Sequence, residues 1–348
     1  MGCPPEQCGR PCEPPTPRVS PTIVHPNVSV DPFYYIPANF SPYAVSDLVK
    51  WEDIDSTTVS TSYWVPAGLS LSRFFYASED VDGEPLPATG YVLPYRVVVW
   101  AHGTSGFTPQ CAPSNNKGLQ YNWQAPFTRA QQGYVIIAPD YAGLGSRIPT
   151  GFMYNAGVLH AADVSTAVRA VRKNFNPHDS QLTLTDEWMV IGHGEGGLTA
   201  WRTAEREAEA ETGAPAGGFI GAVAIAPAME LMSLVPPAIL KAHGGPLQLL
   251  YMTRKLIDRT HLATSGLGCL NAAVPLLTNL SLTDTYLHNT TFTSAPELLG
   301  GPMLILHGRD DFIIPWLHVE EVVAAQCNAF PRSQVMYSVL PGLDHDGR

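Results

Sequence analysis

Val190-Ile191-Gly192-His193-Gly194-Glu195-Gly196-Gly197 decides how this chain is read. An apolar, β-branched run stops at a cluster of glycines, and Leu198, Trp201, Ala204 and Ala208 follow at helical spacing. The pattern predicts a buried strand that breaks sharply into a helix. Gly192 and Gly196 sit where small residues let strand and helix approach closely, the frame Gly-x-Ser-x-Gly that presents a nucleophilic serine at the tip of the turn. Here the tip is Gly194, which has no side chain.

Further strands are expected at residues 71–76, 88–93, 96–101, 134–138, 222–226, 303–306 and 335–340, from runs rich in Val, Ile, Leu and aromatics. The first two flank Asp82-Gly83 and read as an antiparallel pair. The others are apolar without alternation, as suits parallel strands covered on both faces. Helical stripes lie between them, at 125–132, 158–173 and 318–330. Alternating strands and helices specify an α/β fold with a mostly parallel, doubly wound sheet. Residues 1–30 are Pro-rich and read as an arm, and 31–65 as a wrap over the surface. The core is assigned to 31–226 and 300–348. The interval 227–299 interrupts the rhythm with Leu, Met and Pro, and is expected to be a helical cap over an apolar pocket.

At 348 residues the chain can bury one large core. A net charge of −11 without a basic stripe excludes nucleic acid as the expected partner, and no apolar run is long enough to span a bilayer. The partner expected is a hydrophobic small molecule, with no cofactor and no metal. The sequence carries no sign of oligomeric state. No secretory leader is visible, so a cytoplasmic location is the default. Secretion is the alternative, raised by sequons at Asn27, Asn39, Asn279 and Asn289 and by Cys111 and Cys269, which would be able to pair outside the cell. Cys327 shares a helical face with Val319 and Val323 and is read as core.

Polar residues collect at the carboxyl ends of the expected strands, where open parallel sheets place their sites. His102-Gly103-Thr104-Ser105-Gly106 follows 96–101, Asp310-Asp311 follows 303–306, and Asp344-His345 follows 335–340. The order nucleophile position, acid, histidine is that of a hydrolase triad. An Asp-oriented imidazole is a general base, which assigns His345 as base and Asp311 as its partner, with Asp310 as rival acid. The backbone N–H groups of Glu195 and Thr104 would form an oxyanion hole, which needs no side chain. Glu195 itself is expected to point away from the tip. His160, His193 and His307 are read as structural.

These stretches resemble the fungal secretory lipases and related bacterial esterases of the α/β-hydrolase superfamily. The likeness rests on residues 101–106, on Gln110-Cys111-Ala112-Pro113-Ser114, on 133–145 with its Pro139-Asp140-Tyr141, on Asp31-Pro32-Phe33-Tyr34, and on the Asp311 and His345 segments. It implies an α/β-hydrolase fold with a lid, and a pocket in which His102, Gly103, Ser105 and Tyr141 bind substrate. Where that family has Ser then Gln in the turn, this chain has Gly194 then Glu195. The expected function is therefore a serine-less enzyme that uses His345, Asp311 and an oxyanion hole on an apolar carbonyl or ester compound, in a lyase, isomerase or cyclase reaction. A lipase or carboxylesterase inactivated at position 194, and a ligand-binding pseudoenzyme, are the alternatives.

Overall fold

The computed structural model describes residues 28–347 except 39, 42, 56, 59–61, 64–70, 81, 94–95, 107, 120–124, 150, 175–185, 209–215 and 230–295. The Pro-rich arm up to residue 27, nearly all of the expected cap, Cys269 and the four sequon asparagines lie outside the described residues.

In chain order the elements are β1 (Leu48–Ile54), β2 (Leu71–Glu79), β3 (Pro85–Leu93), β4 (Arg96–Ala101), α1 (Ala125–Gln131), β5 (Tyr134–Pro139), α2 (Gly157–Asn174), β6 (Trp188–His193), α3 (Glu195–Ala208), β7 (Phe219–Ile225), β8 (Met303–Gly308), α4 (Trp316–Ala329) and β9 (Val335–Leu340). The strands form one sheet in the order β1-β2-β3-β5-β4-β6-β7-β8-β9. Pairing is antiparallel from β1 through β3 to β5 and parallel from β5 to β9. No helix among the described residues is long and apolar enough to cross a membrane.

The central strands show why they are apolar throughout. Val97 and Val99 of β4, Val135 and Ile137 of β5 and Val190 of β6 pack against Val164 and Val168 of α2 and Leu198 and Trp201 of α3. Their neighbours Val98, Trp100 and Ile136 face the other way, onto Phe127 and Ala130 of α1. Period-two alternation thus feeds two cores, and each fully buried side chain of this size contributes about 1.5–3 kcal/mol.

Two expectations need correction. The run containing Trp51 is not merely a surface wrap, because β1 is the edge strand of the sheet. Its charged residues face partners across the strand: Glu52 is opposite Arg73 in the ladder and ion-paired with it. Arg73 also binds Asp31 at 2.9 Å and lies 4.2 Å from the Phe33 ring, which pins the Asp31-Pro32-Phe33-Tyr34 turn to the sheet. The second correction is Cys327, which is exposed. Val319 and Val323 are buried as expected, but the stripe continues at Gln326, also buried, because i, i+4, i+7 follows the 3.6-residue turn and i+8 drifts off it.

Candidate active site

The turn between β6 and α3 is built by close packing. A Cβ on Gly196 would overlap the backbone oxygens of Ala101 and His102, and one on Gly197 would lie 2.8 Å from Ile225 O. One on Gly192 would overlap the Gly196 backbone. The glycines therefore key the turn into the ends of β4 and β7. Gly194 differs. Its φ is +58°, its N–H donates to Ile225 O at 2.9 Å, and its carbonyl accepts from Ala228 N at 3.0 Å. A Cβ built there would meet only His345 among the described residues, with Nε2 at 3.5 Å.

His345 reaches this point from the segment after β9. Its Nδ1–H donates to Asp311 Oδ2 at 2.8 Å, so Nε2 faces the tip of the turn. Asp311 is buried after β8 and also accepts from the backbone N–H groups of Ile313 (2.9 Å) and Ile314 (2.8 Å). The His307 Nε2–H is shared between Ile314 O at 2.7 Å and Asp311 Oδ2 at 3.2 Å. Burial alone would raise the Asp311 pKa, but the hydrogen bonds from His307 and His345 outweigh it and hold the carboxyl well below the usual range. Asp310 is exposed, which separates it from its neighbour. His193 Nε2–H donates to the His345 carbonyl at 2.8 Å, with the two rings 4.5 Å apart. Burial and the adjacent His345 push the His193 pKa down to about 3, so it is neutral and structural.

Opposite the dyad, α3 begins at Glu195, whose N–H is the first of the helix and has no acceptor four residues back. Thr104 and Ser105, on the loop after β4, are half-buried. Thr104 Oγ1 is 3.0 Å from Tyr154 Oη. Sequence and structure therefore bring Gly194, His345, Asp311, Glu195 and Thr104 to one end of the sheet.

Three of the expected substrate-binding residues lie deeper. His102, Gly103 and Tyr141 are buried, and Tyr141 is stacked between His102 and His160 with 4.1 Å between centroids on each side. The Tyr141 hydroxyl donates to His102 O at 2.9 Å. The side chains of His102 and Tyr141 are taken up by this packing behind the loop that carries Thr104, with Gly103 buried beside them. Ser105 is half-buried as a residue, and its hydroxyl oxygen is buried with no hydrogen-bond partner among the described residues. The Glu195 side chain leaves the tip as expected, but it enters the interior, where Oε1 accepts from Asn155 N at 2.7 Å and stands 3.7 Å from His160 Nδ1. Burial raises its pKa to about 8, offset in part by the Asn155 N–H and the Thr104 hydroxyl.

Tyr154 and Asn155 were not singled out from the sequence. The signal available was Asn155 three residues before the helical stripe at 158–173, since asparagine tolerates the left-handed region and its φ is +59°. Tyr141 (φ +64°) and Ala226 (φ +42°) share that conformation, so strained backbone collects around this end of the sheet. Cys111 is disulfide-bonded, and its partner lies outside the described residues.

Comparison with known proteins gives a match to the model of the alpha/beta hydrolase family over residues 98–347. Lipase 9 of Candida albicans is 25% identical over 153 residues, which are 39% of this chain and 33% of that protein. The match thus spans about a third of the length of that curated relative. The X-ray structure of Candida antarctica lipase A in its closed state superposes with a TM-score of 0.60 at 17% identity, covering 92% of this chain and 82% of that one. The rice cell wall degrading esterase LipA from Xanthomonas oryzae superposes with a TM-score of 0.61 at 20% identity, covering 88% and 94%. At these identities the structural likeness is one of fold.

Proposed function

The chain belongs to the alpha/beta hydrolase family, and from that premise we propose that it is a serine-less enzyme of the family acting on an apolar carbonyl or ester compound. His345, oriented by Asp311, takes and returns a proton. The N–H groups of Glu195 and Thr104 hold the substrate oxygen on which charge develops. The reaction class is lyase, isomerase or cyclase. One observation carries the reading: His345 Nε2 faces a turn whose tip, Gly194, offers it no side chain, while Asp311 still orients the ring. An acyl-enzyme path needs a nucleophile at that tip, and losing such a serine costs about 10⁶ in kcat. A general base needs none.

A balanced first step is removal of a proton from carbon next to the carbonyl. His345 Nε2 gains the proton, the C–H electron pair passes into the carbonyl, and the oxygen becomes an enolate held by backbone N–H groups. Its test is deuterium incorporation from D2O, followed by NMR across a panel of apolar ketones and esters. Wild type is expected to exchange and His345→Ala to lose exchange while still binding the same compounds. Absence of exchange across the panel, with ester hydrolysis gained by Gly194→Ser, would leave the inactivated lipase or esterase as the reading. Binding by wild type without exchange or hydrolysis would leave the pseudoenzyme.

The disulfide at Cys111 favours the secreted alternative over a cytoplasmic location, since such bonds persist in oxidising compartments.

A further inference from the structure

Gly194 is the one glycine of the turn beside which a carbon atom fits. A Cβ built there lies 3.5 Å from His345 Nε2 and 3.8 Å from Cε1, and meets no other described atom within 4 Å. The same atom built at Gly192, Gly196 or Gly197 runs into backbone. An oxygen one bond beyond a carbon at position 194 can come within about 2.6–3.2 Å of Nε2, the distance at which a general base takes a proton.

That position suits carbon better than water. The Gly194 backbone beside it is already engaged: its N–H donates to Ile225 O at 2.9 Å, and its carbonyl accepts from Gly197 N and Ala228 N at 3.0 Å and from Leu198 N at 3.2 Å. His345 Nε2 is then the one polar atom among the described residues within 4 Å. A well-held buried water takes roughly two to four polar partners, whereas a saturated carbon needs none.

The proton acceptor is fixed in direction. His345 Nδ1–H donates to Asp311 Oδ2 at 2.8 Å, which leaves the lone pair on Nε2, towards the turn. On the other side of the turn, the N–H of Glu195 opens α3 and is free to hold an oxygen that gains charge. An O–H beside Nε2 and a carbonyl at that N–H are the two ends of an acyl-transfer step, and the chain supplies no hydroxyl of its own at the tip.

We propose that the substrate brings it: a hydroxy ester whose carbinol carbon lies where a Cβ would be at position 194, and which closes on its own carbonyl to a lactone. This rests on the reading of His345 as base and of the Glu195 N–H as oxyanion donor, and deepens it by naming the substrate class. The step balances without an acyl-enzyme. His345 Nε2 takes the hydroxyl proton as that oxygen bonds to the carbonyl carbon, and the carbonyl electron pair moves onto the oxygen held by backbone N–H groups. Collapse breaks the bond to the alkoxy group, which leaves as an alcohol with the proton returned by His345. A tethered hydroxyl outcompetes water because intramolecular attack reaches effective concentrations of about 10⁵–10⁸ M.

The test follows ethyl 5-hydroxydecanoate and its 5-methoxy counterpart with the full chain in D2O, by NMR and gas chromatography. The hydroxy ester is expected to give δ-decalactone and ethanol faster than without protein. The methoxy ester, with no proton to yield, is expected to release no ethanol. His345→Ala should slow lactone release by about 10²–10⁴. Gly194→Ala, which puts a methyl in the place of the carbinol carbon, should abolish it, and a folded variant that keeps the wild-type rate would overturn the proposal. Should that variant not fold, the two esters with wild type decide. Deuterium entering beside the carbonyl of both esters with no lactone formed would overturn the proposal and leave the base and oxyanion assignments standing. Ethanol released equally from both esters would overturn it by making water the nucleophile. Neither exchange nor lactone would overturn the proposal and the reading beneath it together.

Discussion

His193 grips the backbone of His345, the base in the proposed reaction: its Nε2–H donates to the His345 carbonyl oxygen at 2.8 Å. The bond ties the segment after β9 to the end of β6, and so fixes His345 to the same strand that carries Gly194. His193→Ala removes a buried donor and leaves the carbonyl to find water. A loss of about 1–3 kcal/mol is expected in denaturant unfolding. The His345 ring should also lose its fixed orientation, read as averaging of its NMR signals.

Gly194 and Gly196 should respond oppositely to substitution. At Gly194 a side chain has room but must adopt φ near +58°, a strain of about 1–3 kcal/mol. Gly194→Ser is therefore expected to fold, to place its hydroxyl beside His345 Nε2, and to react with a fluorophosphonate probe to which wild type is inert. Gly196→Ala would drive a methyl into the Ala101 and His102 carbonyls, both backbone. Little soluble protein is expected from that variant, and a normal melting temperature for it would contradict the packing described.

The dependence of stability on pH should be asymmetric. Burial raises the pKa of Asp140 to about 6, Asp163 to about 7 and Glu195 to about 8. The folded state holds these protons where the unfolded chain, with values near 4, has released them. Each contribution is full below pH ~4 and is lost as pH rises towards the folded value. Burial depresses His102 to about 4 and His160 and His193 to about 3. Their contribution is full above the unfolded value of ~6.5 and is lost as pH falls below it. The two sets oppose one another between roughly pH 4 and 6.5. Above that only the carboxyls act, so unfolding free energy should decline from pH 6.5 to 8, and Glu195→Gln with Asp163→Asn should flatten the decline. Stability that rises across this window would refute the assignment.

Reduction should weaken the protein. Cys111 closes a disulfide from the loop between β4 and α1, and removing a native bond of this kind costs about 2–5 kcal/mol. Thermal melts with and without dithiothreitol should separate by several degrees, while Cys111→Ser should melt at one temperature in both.

How far the sequence could be read depended on where each residue's partners lie. The central strands were legible because β-branched runs covered on both faces have few alternatives. Gly192, Gly194 and Gly196 were legible because the turn's geometry restricts each position separately. β1 was hidden because an edge strand keeps charges such as Lys50 and Glu52, and its partner Arg73 is 21 residues from Glu52. Asp311 and His345 could be paired by their places after β8 and β9. The Tyr154–Thr104 and Glu195–Asn155 contacts could not, since they join residues 50 and 40 positions apart with no periodicity to announce them. Tyr141 and His102 read as ligand-facing because the family resemblance implies it. Their rings instead form a stack with His160, which only coordinates reveal.

The turn after β6 divides its duties residue by residue. Gly192, Gly196 and Gly197 touch backbone, and a change at any of them is answered by the fold. A Cβ at Gly194 would meet only His345 among the described residues, so a change there costs backbone strain and little packing, and bears chiefly on the proposed reaction. Natural selection for a folded chain therefore acts through packing on three of the four glycines and only through backbone strain on the fourth. A lineage could exchange one chemistry for another at position 194 in a single step, without first acquiring the compensating substitutions that new activities commonly require.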